Sequence, residues 1–144
     1  MKTAPLTAAS AAALLLTLSA CHSPPRPQHQ RYFHSEVKPV LEMQCLRCHT
    51  GPTPPAGLSL EHREGGAYTR RADGRSFIMP GRPAESLLIQ SISRGGTHPR
   101  LMPRLEVSLT DDQIGALTEW IEDGAWWPRG PEGHLRAEAN PENP

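Results

Sequence analysis

The sequence predicts a small, loop-rich, all-α domain of about three helices packed around a buried apolar group. Three observations carry that prediction. Apolar residues recur at helical spacing in three stretches, at 36–48, 84–92 and 110–124. The chain contains 16 prolines and 12 glycines in 144 residues, which breaks it into short elements joined by loops. Hydrophobic residues make up 37% of it, and an N-terminal apolar run takes much of that share. The domain that remains is marginal on its own core.

Residues 1–20 read as a targeting segment. Lys2 gives a thin positive start, and Ala8 to Leu18 is an apolar run too short to span a bilayer as a stable helix. It ends in Leu18-Ser19-Ala20-Cys21, which resembles a bacterial lipoprotein cleavage box. The resemblance implies that Cys21 becomes the first mature residue and carries acyl chains. Several chains, at about 0.8 kcal/mol per buried methylene, anchor a protein stably to a membrane. An ordinary leader cleaved elsewhere is the other reading. Residues 21–31 include Ser23-Pro24-Pro25-Arg26-Pro27 and are expected to form an extended linker with His22 and His29 solvated. Lys2 is the only charged residue in 1–20, which leaves 14 basic and 15 acidic residues in the rest. That balance excludes a nucleic-acid footprint and any strong field that selects a charged partner.

The folded domain is expected over 32–128. Ser35 is placed to cap a first helix over 36–48, with Glu36 and Pro39 in or near its first turn. Val37, Val40, Leu41 and Cys45 line its inward stripe, and Met43 falls off it. Thr50-Gly51-Pro52-Thr53-Pro54-Pro55 stops this helix. Leu58 and Leu60 are expected inward and His62 at the surface. A turn over Ile78–Pro83 leads into a helix at Ala84–Ile92, with Leu88, Ile89 and Ile92 inward and Gly95-Gly96 at its end. The last helix has the fullest local grammar. Thr110 and Gln113 form a capping box, and Leu109 and Ile114 a hydrophobic staple. Ile114, Leu117, Trp120 and Ile121 make its apolar face, and Gly124 closes it. Residues 129–144 are rich in Pro, Gly, Glu and Asn and are expected to be disordered, His134 with them.

Cys45-Leu46-Arg47-Cys48-His49 carries the chemistry. It reads C-x-x-C-H, the attachment signature of a c-type haem. Two thiols three residues apart share one helical edge, where each can add to one vinyl group of a single porphyrin. The following His then offers an imidazole nitrogen to iron. Its other ring nitrogen needs an acceptor, expected among the carbonyls of the 50–55 loop. Half of a zinc site is the rival, but a closed structural site takes four ligands and the chain has no second cysteine pair. With Cys21 assigned to lipid and Cys45 and Cys48 to haem, none of the three cysteines is left for a disulfide. Two free neighbouring thiols in an exported protein would tend to oxidise, so export and occupied thiols belong together.

The second axial position of the iron has several candidates: Met79, Met102, His98, His62, or no protein ligand. A thioether favours ferrous iron and raises the potential. Both methionines lie in loops ahead of a helix, and Met102 sits before the well-capped last one. From Val37 to Pro128 the chain resembles the planctomycete-type cytochrome c domain, within the class I cytochrome c fold. The matching pieces begin with Val37-Lys38-Pro39-Val40-Leu41 ahead of the Cys45–His49 motif, then Gly57-Leu58-Ser59-Leu60. They continue with Pro80-Gly81-Arg82-Pro83 and Ser86-Leu87-Leu88, then Met102-Pro103, then Leu109 through Trp120-Ile121 to Gly124-Ala125 and Trp127-Pro128. The resemblance implies one covalent haem c, with Met102, in the Met-Pro step, as the axial partner of His49. It demotes Met79. Arg104 departs from the family's frequent Met-Pro-Pro.

The function expected is a monohaem electron-transfer protein, exported and held on the periplasmic side of a bacterial membrane, which meets redox protein partners. In this reading it is not an enzyme; no hydrolytic triad, phosphate-cradling glycine loop or paired-carboxylate site stands out. The alternatives are a haem peroxidase or gas-binding sensor with an open sixth position, where His98 is the one distal group to nominate, and a binding module with a structural haem. Trp120, Trp126 and Trp127 read as core or lid rather than electron relays. Arg94 or Arg100 could pair with a haem propionate.

Overall fold

The computed structural model describes residues 27–93, 102 and 109–137. Among them the fold is all-α and loop-rich. A helical run from Pro27 to Cys45, a middle helix Leu87–Ile92 and a C-terminal helix Asp111–Glu122 are joined by loops and three single 3-10 turns.

The first helical run begins before Ser35. Residues 27–31, expected in an extended linker, belong to the helical segment Pro27–Tyr32; proline suits a first helical position because its missing N–H has no partner there. Ser35 therefore lies inside the run and does not cap it. Its hydroxyl donates back to the Arg31 carbonyl at 3.0 Å. Pro39 is interior as well. A proline there lacks the N–H of the ladder and crowds the carbonyl four residues back. The run accommodates it by widening to π geometry over Phe33–Val37, with the Lys38 N–H on the Phe33 carbonyl.

A second π segment, Leu41–Cys45, ends with the Leu46 N–H on the Leu41 carbonyl at 2.9 Å. This wider turn advances the inward stripe by one residue. Leu46 is 1% exposed, whereas Cys45 is half-buried and Cys48 exposed. The motif thus leaves the helix with its leucine in the core and its second thiol outside.

The run packs its Phe33 into an aromatic group from the C-terminal end. Phe33 lies 6.0 Å from Trp120, 5.8 Å from Trp126 and 5.6 Å from Trp127, ring centre to ring centre. Trp120 and Trp127 are buried and Trp126 partly so. Their indole N–H groups are satisfied: Trp120 donates to the Trp126 carbonyl and Trp127 to the Gly133 carbonyl, both at 2.7 Å. The C-terminal helix carries the expected capping box at Thr110 and Gln113. Leu117, Trp120 and Ile121 are its buried face.

The middle helix starts at Leu87, after the 3-10 turn Pro83–Glu85, and not at Ala84. Ser86 at the junction is fully buried. Its hydroxyl donates to the Arg82 carbonyl at 2.9 Å and accepts from the Met79 N–H at 2.8 Å. Gly81 N–H then reaches the Ile121 carbonyl at 2.7 Å, tying this turn to the C-terminal helix.

Residues 129–137 differ from the disordered tail that their composition suggests. The segment turns once at Gly130–Gly133 and buries Leu135. Leu135 N–H donates to the Glu61 carbonyl at 2.7 Å, and Arg136 N–H to the Glu42 carboxylate at 2.9 Å. One leucine and three hydrogen bonds, these two and that from the Trp127 indole to the Gly133 carbonyl, order a stretch whose average composition is polar. Residues 138–144 of the expected tail, and Gly95-Gly96, lie outside the described residues. Among the described residues no helix is long and apolar enough to cross a membrane.

Candidate functional site

The end of the first helical run brings Cys45, Cys48 and His49 onto one turn. Cys48 N–H and His49 N–H both point to the Cys45 carbonyl, at 3.2 and 3.0 Å. Both thiols are free of any disulfide. Cys45 packs against the core, and that burial, with the nearby Cys48, pushes its thiol up to about 12. A redox C-x-x-C works in the opposite sense, through a lowered pKa that makes a ready thiolate. Among the described residues no third His, Cys, Asp or Glu side chain joins the pair in a metal-holding cluster, which weighs against a closed zinc site.

His49 is gripped twice. Its Nδ1 lies 3.1 Å from the Leu58 carbonyl. A carbonyl only accepts, so Nδ1 is the donor, and in the neutral ring Nε2 keeps its lone pair. The His49 carbonyl in turn accepts from Leu60 N–H at 2.7 Å. Leu58 and Leu60 are buried, so the segment that grips the imidazole is itself fixed by the core. The acceptor falls beyond the 50–55 loop where it was expected. The reason is local: the Gly57 N–H bonds the Pro54 carbonyl and the Leu58 N–H the Pro55 carbonyl, and this tight turn returns Leu58 to the imidazole.

Around that grip lies a polar hub that sequence reasoning missed. The Glu61 carboxylate accepts from Gly51 N–H at 3.2 Å and from the Ser59 hydroxyl at 3.1 Å. Hydrogen bonds from the Thr50 side chain, the Gly51 backbone and Ser59 hold this carboxyl below its ordinary range. The signal in the sequence is Ser59-x-Glu61 ahead of the Gly65-Gly66 pair, a two-residue pattern with many innocent uses.

Met102 is partly buried against the core, and its backbone N–H donates to the Ser91 carbonyl at 2.7 Å, at the end of the middle helix. Met79 is half-buried at the other end of that helix, in the turn held by Ser86. His62 sits half-buried beside the C-terminal arm. Cys21, Arg94, His98, Arg100 and Arg104 lie outside the described residues. The residues present suit a covalently held haem: two uncombined thiols, an imidazole with one nitrogen anchored and one free, and a thioether packed on the same core.

A curated relative is the hydrazine synthase subunit alpha of Kuenenia stuttgartiensis, 28% identical over an alignment covering 66% of this chain. The chain spans about 15% of that relative's length. No solved structure gives a significant match. The family model described as planctomycete cytochrome C matches residues 45–104, a span that runs from Cys45 through Met102. Over that span, less than half of the chain, the sequence is similar to the planctomycete cytochrome C family.

Proposed function

We propose that this protein is a c-type cytochrome, a membrane-anchored, monohaem electron carrier. Cys45 and Cys48 hold the haem by thioether bonds, His49 and Met102 are its axial ligands, and lipid on Cys21 keeps it on the periplasmic side of a bacterial membrane. The observation that carries the reading is the 3.1 Å contact between His49 Nδ1 and the Leu58 carbonyl, which spends that nitrogen and leaves Nε2 of the neutral ring for iron. When bound, the haem supplies one-electron exchange between ferric and ferrous iron.

The chain's own residues do the rest. Leu58 and Leu60 hold His49 at ring and carbonyl, so the imidazole keeps its orientation through a change of iron charge. The bond to Ser91 anchors the backbone of Met102, and its soft thioether favours the reduced state. Cys48 and Arg47 are exposed at the surface, and this reading gives that edge to a redox protein partner.

A second reading rests on the relative, a subunit of an enzyme. In that reading the sixth position is open or labile, as in a peroxidase or gas sensor. Potentiometric titration of the purified protein, followed by absorption spectroscopy, separates the two. The carrier reading expects a Met-to-iron charge-transfer band in the oxidised protein, lost in Met102→Ala and retained in Met79→Ala. Ready binding of carbon monoxide by the reduced, unmutated protein would overturn it in favour of the open site.

A further inference from the structure

Two histidines outside the haem motif meet where the C-terminal arm crosses the loop that follows it. The rings of His62 and His134 lie 5.6 Å apart, centre to centre, with their planes at 47°. His134 is exposed and His62 half-buried, so solvent reaches both. Their backbones are held in register by the bond from Leu135 N–H to the Glu61 carbonyl, one residue from each. Burial of Leu135 and the bond from the Trp127 indole to the Gly133 carbonyl fix the arm on both sides of His134.

We propose that His62 and His134 form a two-imidazole site for a divalent first-row transition ion such as Zn²⁺ or Ni²⁺, with water completing the shell. Imidazole is a favoured ligand for these ions. A metal–nitrogen bond of about 2.0–2.1 Å puts each ring centre about 3.2 Å from the ion, so two neighbouring ligands place their centres roughly 4.5–5.2 Å apart. The observed spacing must close by about half an ångström on that scale, which a small rotation of the exposed His134 side chain supplies.

The local charge is tolerable for a cation. The Glu61 carboxylate is close enough to His62 to feel its charge. The neighbouring Arg63 is turned away, with its guanidinium 4.3 Å over the Tyr68 ring and 3.3 Å from the Trp127 carbonyl. Arg129 is paired with Glu64 at 3.5 Å. No third His, Cys, Asp or Glu joins the pair among the described residues, so the site is a clasp between two segments and not a closed cage. An ion there would staple the arm to the segment whose Leu58 carbonyl orients His49.

Isothermal titration of ZnCl2 or NiCl2 into the full chain as purified, in a buffer that does not coordinate metal, tests this. His62→Gln and His134→Gln are run beside His34→Gln, which removes an exposed imidazole elsewhere. One ion per chain is expected. Its affinity falls at least tenfold in His62→Gln and in His134→Gln and is unchanged in His34→Gln, and the ion raises Tm only where both clasp histidines remain. Absence of binding in the unmutated chain overturns the proposal, as does binding that survives loss of either clasp residue. The visible absorption spectrum is read in the same samples, so a failed clasp is distinguishable from a failed haem assignment.

Discussion

Gly65→Ala and Gly115→Ala are one substitution with two opposite expected outcomes. Gly65 closes the turn under the segment that grips His49: its carbonyl accepts from Ser59 N–H at 2.8 Å. A Cβ at Gly65 would run into the Ser59 carbonyl group, which is backbone and cannot swing aside. The Ser59–Gly65 bond must open to make room, and Ser59 is buried. Loss of a buried hydrogen bond costs about 1–3 kcal/mol, and the forced backbone shift about 1–3 kcal/mol more. Gly65→Ala is therefore expected to destabilise the protein by about 2–6 kcal/mol. Gly115 lies inside the C-terminal helix, exposed, with open space where its Cβ would go. Alanine there should stabilise by about 0.5–1 kcal/mol, because glycine loses more backbone freedom on helix formation. Denaturant unfolding of the full chain reads both, with m checked for constancy. At this size each kcal/mol moves Tm by roughly 4–8 °C, so the two variants should separate widely in a melt. A Gly65→Ala protein within about 0.5 kcal/mol of the parent, with unchanged m, would refute the close approach and with it the account of how His49 is held.

Leu135→Ala should cost about 2–4 kcal/mol by the same unfolding assay, since that leucine is 4% exposed; a disordered tail would give no effect. Ser86→Ala should cost about 1–3 kcal/mol because the Met79 N–H loses its acceptor. Thr110→Ala should cost about 1 kcal/mol through loss of the capping box. Alkaline stability has a definite sign. Burial first, then Cys48, raises the Cys45 thiol from its ordinary 9.0 to about 12, so folding favours the neutral thiol. In haem-free chain that contribution is present below pH 9.0 and is lost as pH rises toward 12. Circular dichroism melts should show the decline, and Cys45→Ala should flatten it.

How far the fold could be read in advance depended on whether each partner was near in sequence. Thr110 and Gln113 are three residues apart, and their reciprocal bonds follow from the two side chains alone. Leu88, Ile89 and Ile92 announce their inward face by spacing, and all three are buried. The attachment motif is equally local, since two thiols and an imidazole fall within five residues. The first helical run starts earlier than its sequence suggests, because Pro39 reads as a residue in or near a first turn. Phe33, four before Val37, already extended the stripe, and a π-widened turn lets a proline stay inside. That same widening, repeated over Leu41–Cys45, sends Leu46 inward and so exposes Cys48. Whether a thiol of this motif faces the core or the solvent is therefore decided by a helix irregularity that begins at Leu41, ahead of the motif. The grip on His49 and the docking of 129–137 were harder still. Each depends on a carbonyl, at Leu58 or Glu61, and every residue has one. Nothing in a side-chain pattern distinguishes the carbonyl that a turn will bring home. The polar composition of 129–137 misled for the same reason: order there comes from Trp127 needing an acceptor for its buried N–H and finding it at Gly133. A buried indole is a demand placed on some other segment, and the sequence states the demand without saying which segment meets it.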